Sequence, residues 1–335
     1  MAFGDVIGHR RIVDLLSRSI QRETLPPSLI FAGPSGVGKR LVAVATAQAL
    51  NCTAVRPLSD PAFDSCGSCA SCQRIARGVH ADVIIVEPGD NGSIKIDQVR
   101  DVVDRAAYRP FEGRRRVVII DDADALVPAA QNALLKTLEE PPSSSVFLLV
   151  TSRPDVLLAT VRSRCLRLRF RPLGADEVAA ALVKRGWGET DAHAVAATAD
   201  GSIGVALQAS AGDRVEARDV ALRVLTHAAA ADNRRRLDAA KELLEKTGGG
   251  GAGDRERLAV HLRAMASLVR DVEVLGTGAR DDLIANTDLR PAIERLSAYR
   301  GERGVRAFAA LDRALVALEG NAGVKIVADW VTLNL

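Results

Sequence analysis

The 335-residue sequence is long enough for two or three domains of roughly 100–200 residues each. With 47% hydrophobic and 26% charged residues it has the composition of a globular chain, which excludes wholesale disorder. A net charge of +3 gives no sign of a general nucleic-acid coat, and no apolar run approaches the roughly 18 residues of a membrane span.

The first residues, MAFGDVIGHRR, do not read as a signal peptide, so a cytoplasmic protein without membrane contact is expected. In chain order, an amphipathic helix from Val6 to about Arg22 is followed by the apolar run Ser28–Ala32, a Gly-rich turn and a helix from Lys39 to Leu50. Further short aliphatic runs lie at 82–87, 116–121 and 146–151, with helical segments between them. Continuous β-branched and aliphatic runs of this length are the pattern of strands buried on both faces of a parallel sheet. An open α/β domain over residues 1–172 is therefore predicted, with the Gly-rich turn at the carboxyl end of its first strand. Past Leu173 the strand signals stop. Residues 173–212 read as a small set of short helices and 213–335 as a helical bundle, interrupted once by the Gly-rich tract at 247–254.

Gly33-Pro34-Ser35-Gly36-Val37-Gly38-Lys39 follows a strand and opens a helix, the setting that a P-loop requires. Its glycines let successive N–H groups turn inward on phosphate oxygens, and Lys39 would reach the β- and γ-phosphates of ATP or ADP. The next position normally carries Ser or Thr, whose hydroxyl ligates Mg²⁺. Here it is Arg40, which has no lone pair to offer a cation and adds a competing charge, so Mg²⁺ binding is doubtful. A second ATPase element is the run Val117–Ile120 delivering Asp121 and Asp122 to a strand end. Asp121 takes the place of the Mg²⁺-supporting carboxylate, and Asp122 stands where a longer Glu usually polarises the attacking water.

Cys66, Cys69 and Cys72 recur at C-x-x-C spacing, and Cys52 lies at the end of the preceding helix. Four thiolates make a closed tetrahedral site for structural Zn²⁺ with no open position for catalysis, in a module at about 52–72. Buried free thiols and an iron–sulfur cluster are the alternatives. Cys165 stands apart as a small packing residue. The run Arg162–Arg171 holds five cations and no acid. It reads either as a phosphate-facing stripe or as the solvated face of a strand, the second being preferred. With aromatics at 3%, no base-stacking surface is expected.

Asn132-Ala-Leu-Leu-Lys-Thr-Leu-Glu-Glu-Pro-Pro142, then Thr151-Ser-Arg-Pro154 and Val161-Arg-Ser-Arg-Cys165, follow the P-loop and cysteine insert in that order. In this they resemble the bacterial clamp-loader subunits of the AAA+ ATPases, over residues 1–172 and through Gly201-Ser-Ile-Gly204. The resemblance implies an AAA+ P-loop domain with a zinc-binding insert, a small helical lid and a C-terminal collar. It implies that Arg164 is an arginine finger acting on a neighbour's ATP and that Thr151 is the residue sensing the γ-phosphate. It also implies that Gly204 replaces the usual sensor Arg. Arg40, Asp122 and Gly204 are three departures within one ATP site, while Arg164 and the cysteines are intact. That combination resembles the delta-prime branch of the family: a subunit with little or no ATPase activity of its own. Its expected setting is a hetero-oligomer with tau/gamma ATPase and delta subunits, loading a sliding clamp on primed DNA in DNA polymerase III replication, with DNA contacts indirect or to the backbone. An active tau/gamma-like ATPase and a zinc-stabilised AAA+ nucleotide sensor in DNA recombination are the alternative functions.

Overall fold

The computed structural model describes residues 2–54, 63–89, 91–197, 199–208, 211–229, 232–244, 252–278, 284–286, 289–320 and 322–335. The chain divides into two compact units, Met1–Leu173 and Gly174–Leu335. Part of the cysteine module (55–62) and of the Gly-rich tract (247–251) lies outside the described residues.

The first unit is built on five parallel strands: β1 (Ser28–Ala32), β2 (Val83–Val86), β3 (Arg116–Ile120), β4 (Ser145–Thr151) and β5 (Leu166–Arg169), in the spatial order β2-β3-β4-β1-β5. Side-chain alternation splits each central strand between two cores. Leu29, Phe31, Val117, Ile119, Val146 and Leu148 face one; Ile30, Val118, Ile120, Phe147 and Leu149 face the other. Helices α1 (Arg10–Gln21), α2 (Lys39–Asn51) and α3 (Ala70–Ala76) cover the first face through Leu16, Val42 and Ile75. Helices α4 (Ile96–Ala106), α5 (Pro128–Glu139) and α6 (Ala159–Arg162) cover the second through Val102, Leu134 and Val161. The result is the α/β parallel-sheet architecture expected from the unbroken aliphatic runs.

Two local differences have plain causes. Helix α1 begins at Arg10 rather than Val6, because Gly8 and His9 both take left-handed φ (68° and 54°). The His9 Nε2–H instead donates to the Val37 carbonyl at 2.9 Å, and the ring meets Phe170 edge-on. The arginine run contributes the edge strand β5, with Leu168 buried and Arg167 and Arg169 exposed, which is the solvated-face alternative.

In the second unit, α7 (Ala175–Val183), α8 (Glu189–Ala197) and α9 (Ile203–Gln208) are short. They are followed by α10 (Ala211–Ala228), α11 (Asn233–Leu244), α12 (Ala252–Gly276), α13 (Arg290–Arg295), α14 (Glu302–Glu319) and α15 (Val324–Leu333). Leu225, Leu243, Leu262, Leu268, Leu311 and Val331 share one apolar core across α10, α11, α12, α14 and α15. A single interruption of this bundle was expected. The described helices are separated at several places instead, among them between Gly276 and Arg290, where Gly278 takes a left-handed φ of 64°.

At the amino end of the sheet one buried carboxylate organises the loop that leads into β3. Asp82 accepts hydrogen bonds from the backbone of Phe111 (2.7 Å), Glu112 (2.8 Å) and Gly113 (2.8 Å) and from Arg116 Nη2 (2.8 Å). Burial alone would raise this acid, but Arg116 and the three N–H donors hold it far below the usual carboxylate range. Gly113 is required here, since a Cβ would crowd Asn51 Oδ1 and Asp82 Oδ2. Removing one member of such a buried set costs about 3–5 kcal/mol, because the others are left unsatisfied. We therefore expect Asp82→Ala to lower stability in denaturant melts by about that amount. Because the folded-state value is depressed, this contribution is present above about pH 4 and is lost as pH falls below it. An Asp82→Asn chain should show a correspondingly shallower loss of stability in acid, measured as the urea midpoint against pH.

Candidate nucleotide site and cysteine centre

The P-loop joins the carboxyl end of β1 to the N-terminus of α2. Gly36 and Gly38 adopt φ of 72° and 101°, which side-chain-bearing residues rarely reach. Gly33 lies so close to the chain after β5 that a Cβ would collide with the Phe170 carbonyl oxygen. Lys39 is buried and its ammonium donates to the Gly33 (2.7 Å) and Pro34 (2.6 Å) carbonyls. Burial lowers its pKa from the ordinary lysine value, against the opposing pull of Asp122, Asp124 and Asp121. Ser35 and Val37 complete the turn between these residues.

Arg40 projects from the first turn of α2 to the acidic strand ends. Its Nη1 donates to Asp121 Oδ2 at 2.9 Å and also pairs with Glu87, the residue that follows β2. The guanidinium thus binds the carboxylate that the sequence pattern leads us to expect beside a divalent cation. With Arg40 about half exposed, such a pair contributes about 1 kcal/mol or less, so its importance is one of position. Asp122 sits in left-handed backbone (φ 50°, ψ 52°), and burial followed by the nearby Asp121 and Asp124 carboxylates pushes its pKa up.

Thr151, fully buried at the end of β4, donates from Oγ1 to Asp124 Oδ1 at 2.8 Å and accepts from the Arg153 backbone at 3.1 Å. Asp124 also accepts from Arg153 Nε at 3.1 Å. Burial would raise this acid, but the Thr151 and Arg153 hydrogen bonds leave it below the ordinary value. The structure therefore joins the threonine to Asp124, an acid two residues past Asp122 to which the sequence pattern assigned no task. Glu87 was missed for the same reason: nothing in a strand pattern says what its last residue will face.

Arg164 lies just past α6, with its side chain about one-third exposed. Its Nη1 donates to the Thr160 carbonyl (2.9 Å) and to Ser163 Oγ (3.3 Å), and its Nη2 pairs with Glu139 at the end of α5. A solvated pair of this kind contributes about 0.2–1 kcal/mol, too little for the fold to depend on it. Gly204 lies in α9, within the second unit.

The four cysteines of the module converge: the sulfurs of Cys52, Cys66, Cys69 and Cys72 all lie within 4.8 Å of one another. Zn–S bonds of about 2.3 Å place tetrahedral thiolates roughly 3.8 Å apart, so this donor set fits such an ion with small adjustment. Backbone N–H groups aim at the sulfurs, Cys66 to Cys52 at 3.3 Å and Cys69 to Cys66 at 3.2 Å. Burial opposes ionisation of Cys69, but hydrogen bonds from Thr53 and Cys72 bring it down to about 5. None of the five cysteines is in a disulfide, and Cys165 packs in the apolar core under β1 and β4, where burial pushes it up to about 11. The four-cysteine cluster could hold a metal such as zinc. It is moored to the N-terminal segment by Asp64, which accepts from Phe3 (2.8 Å) and Gly4 (2.9 Å), and by Ser17 Oγ, which donates to the Phe63 carbonyl at 2.7 Å.

The chain was compared with known proteins. A family model described as "DNA polymerase III, delta subunit" matches residues 8–174. DNA polymerase III subunit delta' of Pseudomonas aeruginosa is 42% identical over 139 residues, covering 41% of each chain. Subunit tau of Bacillus subtilis is 35% identical over 176 residues, 52% of this chain and 30% of the relative. The chain thus spans less than half the length of these curated relatives. A solved DNA polymerase III gamma subunit-related protein of Thermotoga maritima aligns over 95% of this chain and 96% of its own at 17% identity, with a TM-score of 0.41. No helix among the described residues is long and apolar enough to cross a membrane. On its parallel sheet, its P-loop and these sequence matches through residues 8–174, the chain belongs to the bacterial DNA polymerase III clamp-loader family.

Proposed function

We propose that this chain is a delta-prime-like subunit of the DNA polymerase III clamp loader that does not hydrolyse ATP itself and lends Arg164 to the ATP of a neighbouring subunit. The observation that carries this reading is the pairing of Arg40 with Asp121 and Glu87, which sets a guanidinium where a hydroxyl and a magnesium ion would be needed. Asp122 and Gly204 add two further losses. The P-loop glycines and Lys39 still form a phosphate cradle, so ATP or ADP is the nucleotide that the site would take, without help from Mg²⁺. A guanidinium delivered across a subunit boundary neutralises charge building on the γ-phosphoryl group, an effect worth roughly 10³–10⁵ in rate.

On this reading the partners are the tau/gamma ATPase subunits, delta, the sliding clamp and, through backbone or indirect contacts, primed DNA, all in the cytoplasm. Residues 173–212 would form the lid and 213–335 the oligomerising collar; the shared core of α10, α11, α12, α14 and α15 supports the second of these. The cysteine centre would hold one structural Zn²⁺ and fix the insert against the N-terminal segment. An active tau/gamma-like ATPase is the second reading, favoured by the 35% identity to a tau subunit over 176 residues.

The purified chain should show no Mg²⁺-dependent ATP turnover; robust turnover would promote the second reading. In a clamp loader reconstituted with its ATPase subunits, Arg164→Ala should slow single-turnover hydrolysis at the facing site by roughly 10³-fold. Calorimetric titration with ADP should give the same result in Mg²⁺ and in EDTA, whereas Arg40→Thr, which frees Asp121, should make Mg²⁺ strengthen binding. Metal analysis should return one zinc per chain, lost in Cys69→Ser/Cys72→Ser, and chelation should lower the melting temperature.

A further inference from the structure

Resting on the reading of Arg164 as a finger, we propose that Glu139 is its positioning residue, turning one edge of the guanidinium outward to take a partner's phosphate. A guanidinium has five N–H donors. The bonds to Thr160 and Ser163 use the two hydrogens on Nη1, and Glu139 takes one on Nη2. What is left is Nε–H and the second Nη2–H. With Glu139 on the Nη2–H nearer Nη1, these two would point the same way along one edge of the planar group, the paired geometry that grips two phosphoryl oxygens. Without the carboxylate, only the Nη1 corner stays tethered and the plane is free to swing about its stem.

The carboxylate can serve as a fixed reference because its helix is locked to the segment that carries the finger. The Leu158 N–H, at the entrance to α6, donates to Oε1 of buried Gln131 in α5 at 2.7 Å. Leu134 and Leu138 of α5 share an apolar core with Leu157 and Val161. Glu139 is the last residue of α5, and Pro141-Pro142 prevents the helix from running on. Glu139 and Arg164 therefore meet where two elements are packed and hydrogen-bonded to each other. Preorganising a donor edge before the charge develops is how such a residue acts on rate without touching the substrate.

The test is single-turnover ATP hydrolysis by the reconstituted clamp loader carrying Glu139→Gln, Arg164→Ala or both in this chain. Glu139→Gln should lower kcat about tenfold with KM for ATP unchanged, while assembly by gel filtration and the melting temperature stay at wild-type values. The double variant should be no slower than Arg164→Ala alone, since an edge cannot be positioned once it is gone. A wild-type or faster rate in Glu139→Gln, the latter meaning that the carboxylate merely restrains the arginine, would overturn the proposal while leaving the finger reading intact. So would a Glu139→Gln penalty that persists in the Arg164→Ala background. A wild-type rate in Arg164→Ala overturns the finger reading, and this one with it.

Discussion

A parallel sheet packed by helices on both faces buries its central strands; apart from its edges, it can show the outside only the ends of those strands. That constraint decides where everything else in the first unit lies. At the carboxyl end, β1 delivers the phosphate loop, β2 delivers Glu87, β3 delivers Asp121 and Asp122, and β4 delivers Thr151. Four chain segments far apart in sequence meet there because their strands are neighbours in the sheet. The amino end is given over to stability, with Asp82 gathering a loop and Arg116 beneath it.

The residues at the carboxyl end have exchanged their customary ligands for one another. Lys39 is satisfied by loop carbonyls, Arg40 by two carboxylates and Thr151 by Asp124. Each of these bonds is modest taken singly. Together they leave the cationic and anionic groups at this end of the sheet already matched within the chain. Arg164, by contrast, keeps donors to spare, and its partner Glu139 comes from the next helix of the same layer.

Much of this was legible in the sequence because the signals were local. A continuous aliphatic run marks a doubly buried strand, a glycine-rich turn between strand and helix marks an anion site, and cysteines at short spacing mark a shared ligand. The parts that escaped depend on contacts between distant segments. Asp82 looked like the first residue of a strand, and only the fold shows that a loop some thirty residues on would close over it. Glu139 lay inside a motif that carried the resemblance, yet its facing residue is 25 positions away. The arginine run reads as the solvated face of a strand, but its place at the edge of the sheet beside β1 depends on pairing that no local pattern shows. Left-handed backbone at His9 and Asp122 was equally silent, since neither is the glycine that usually signals it.

Arg40 has one more consequence. A magnesium ion comes and goes, and its occupancy follows the metal concentration and the nucleotide it travels with. A cation on the protein's own chain has no such equilibrium: its effective concentration beside Asp121 is set by covalent bonds, and dilution cannot reduce it. The positive charge beside Asp121 is therefore part of the fold itself and is present whenever the chain is folded.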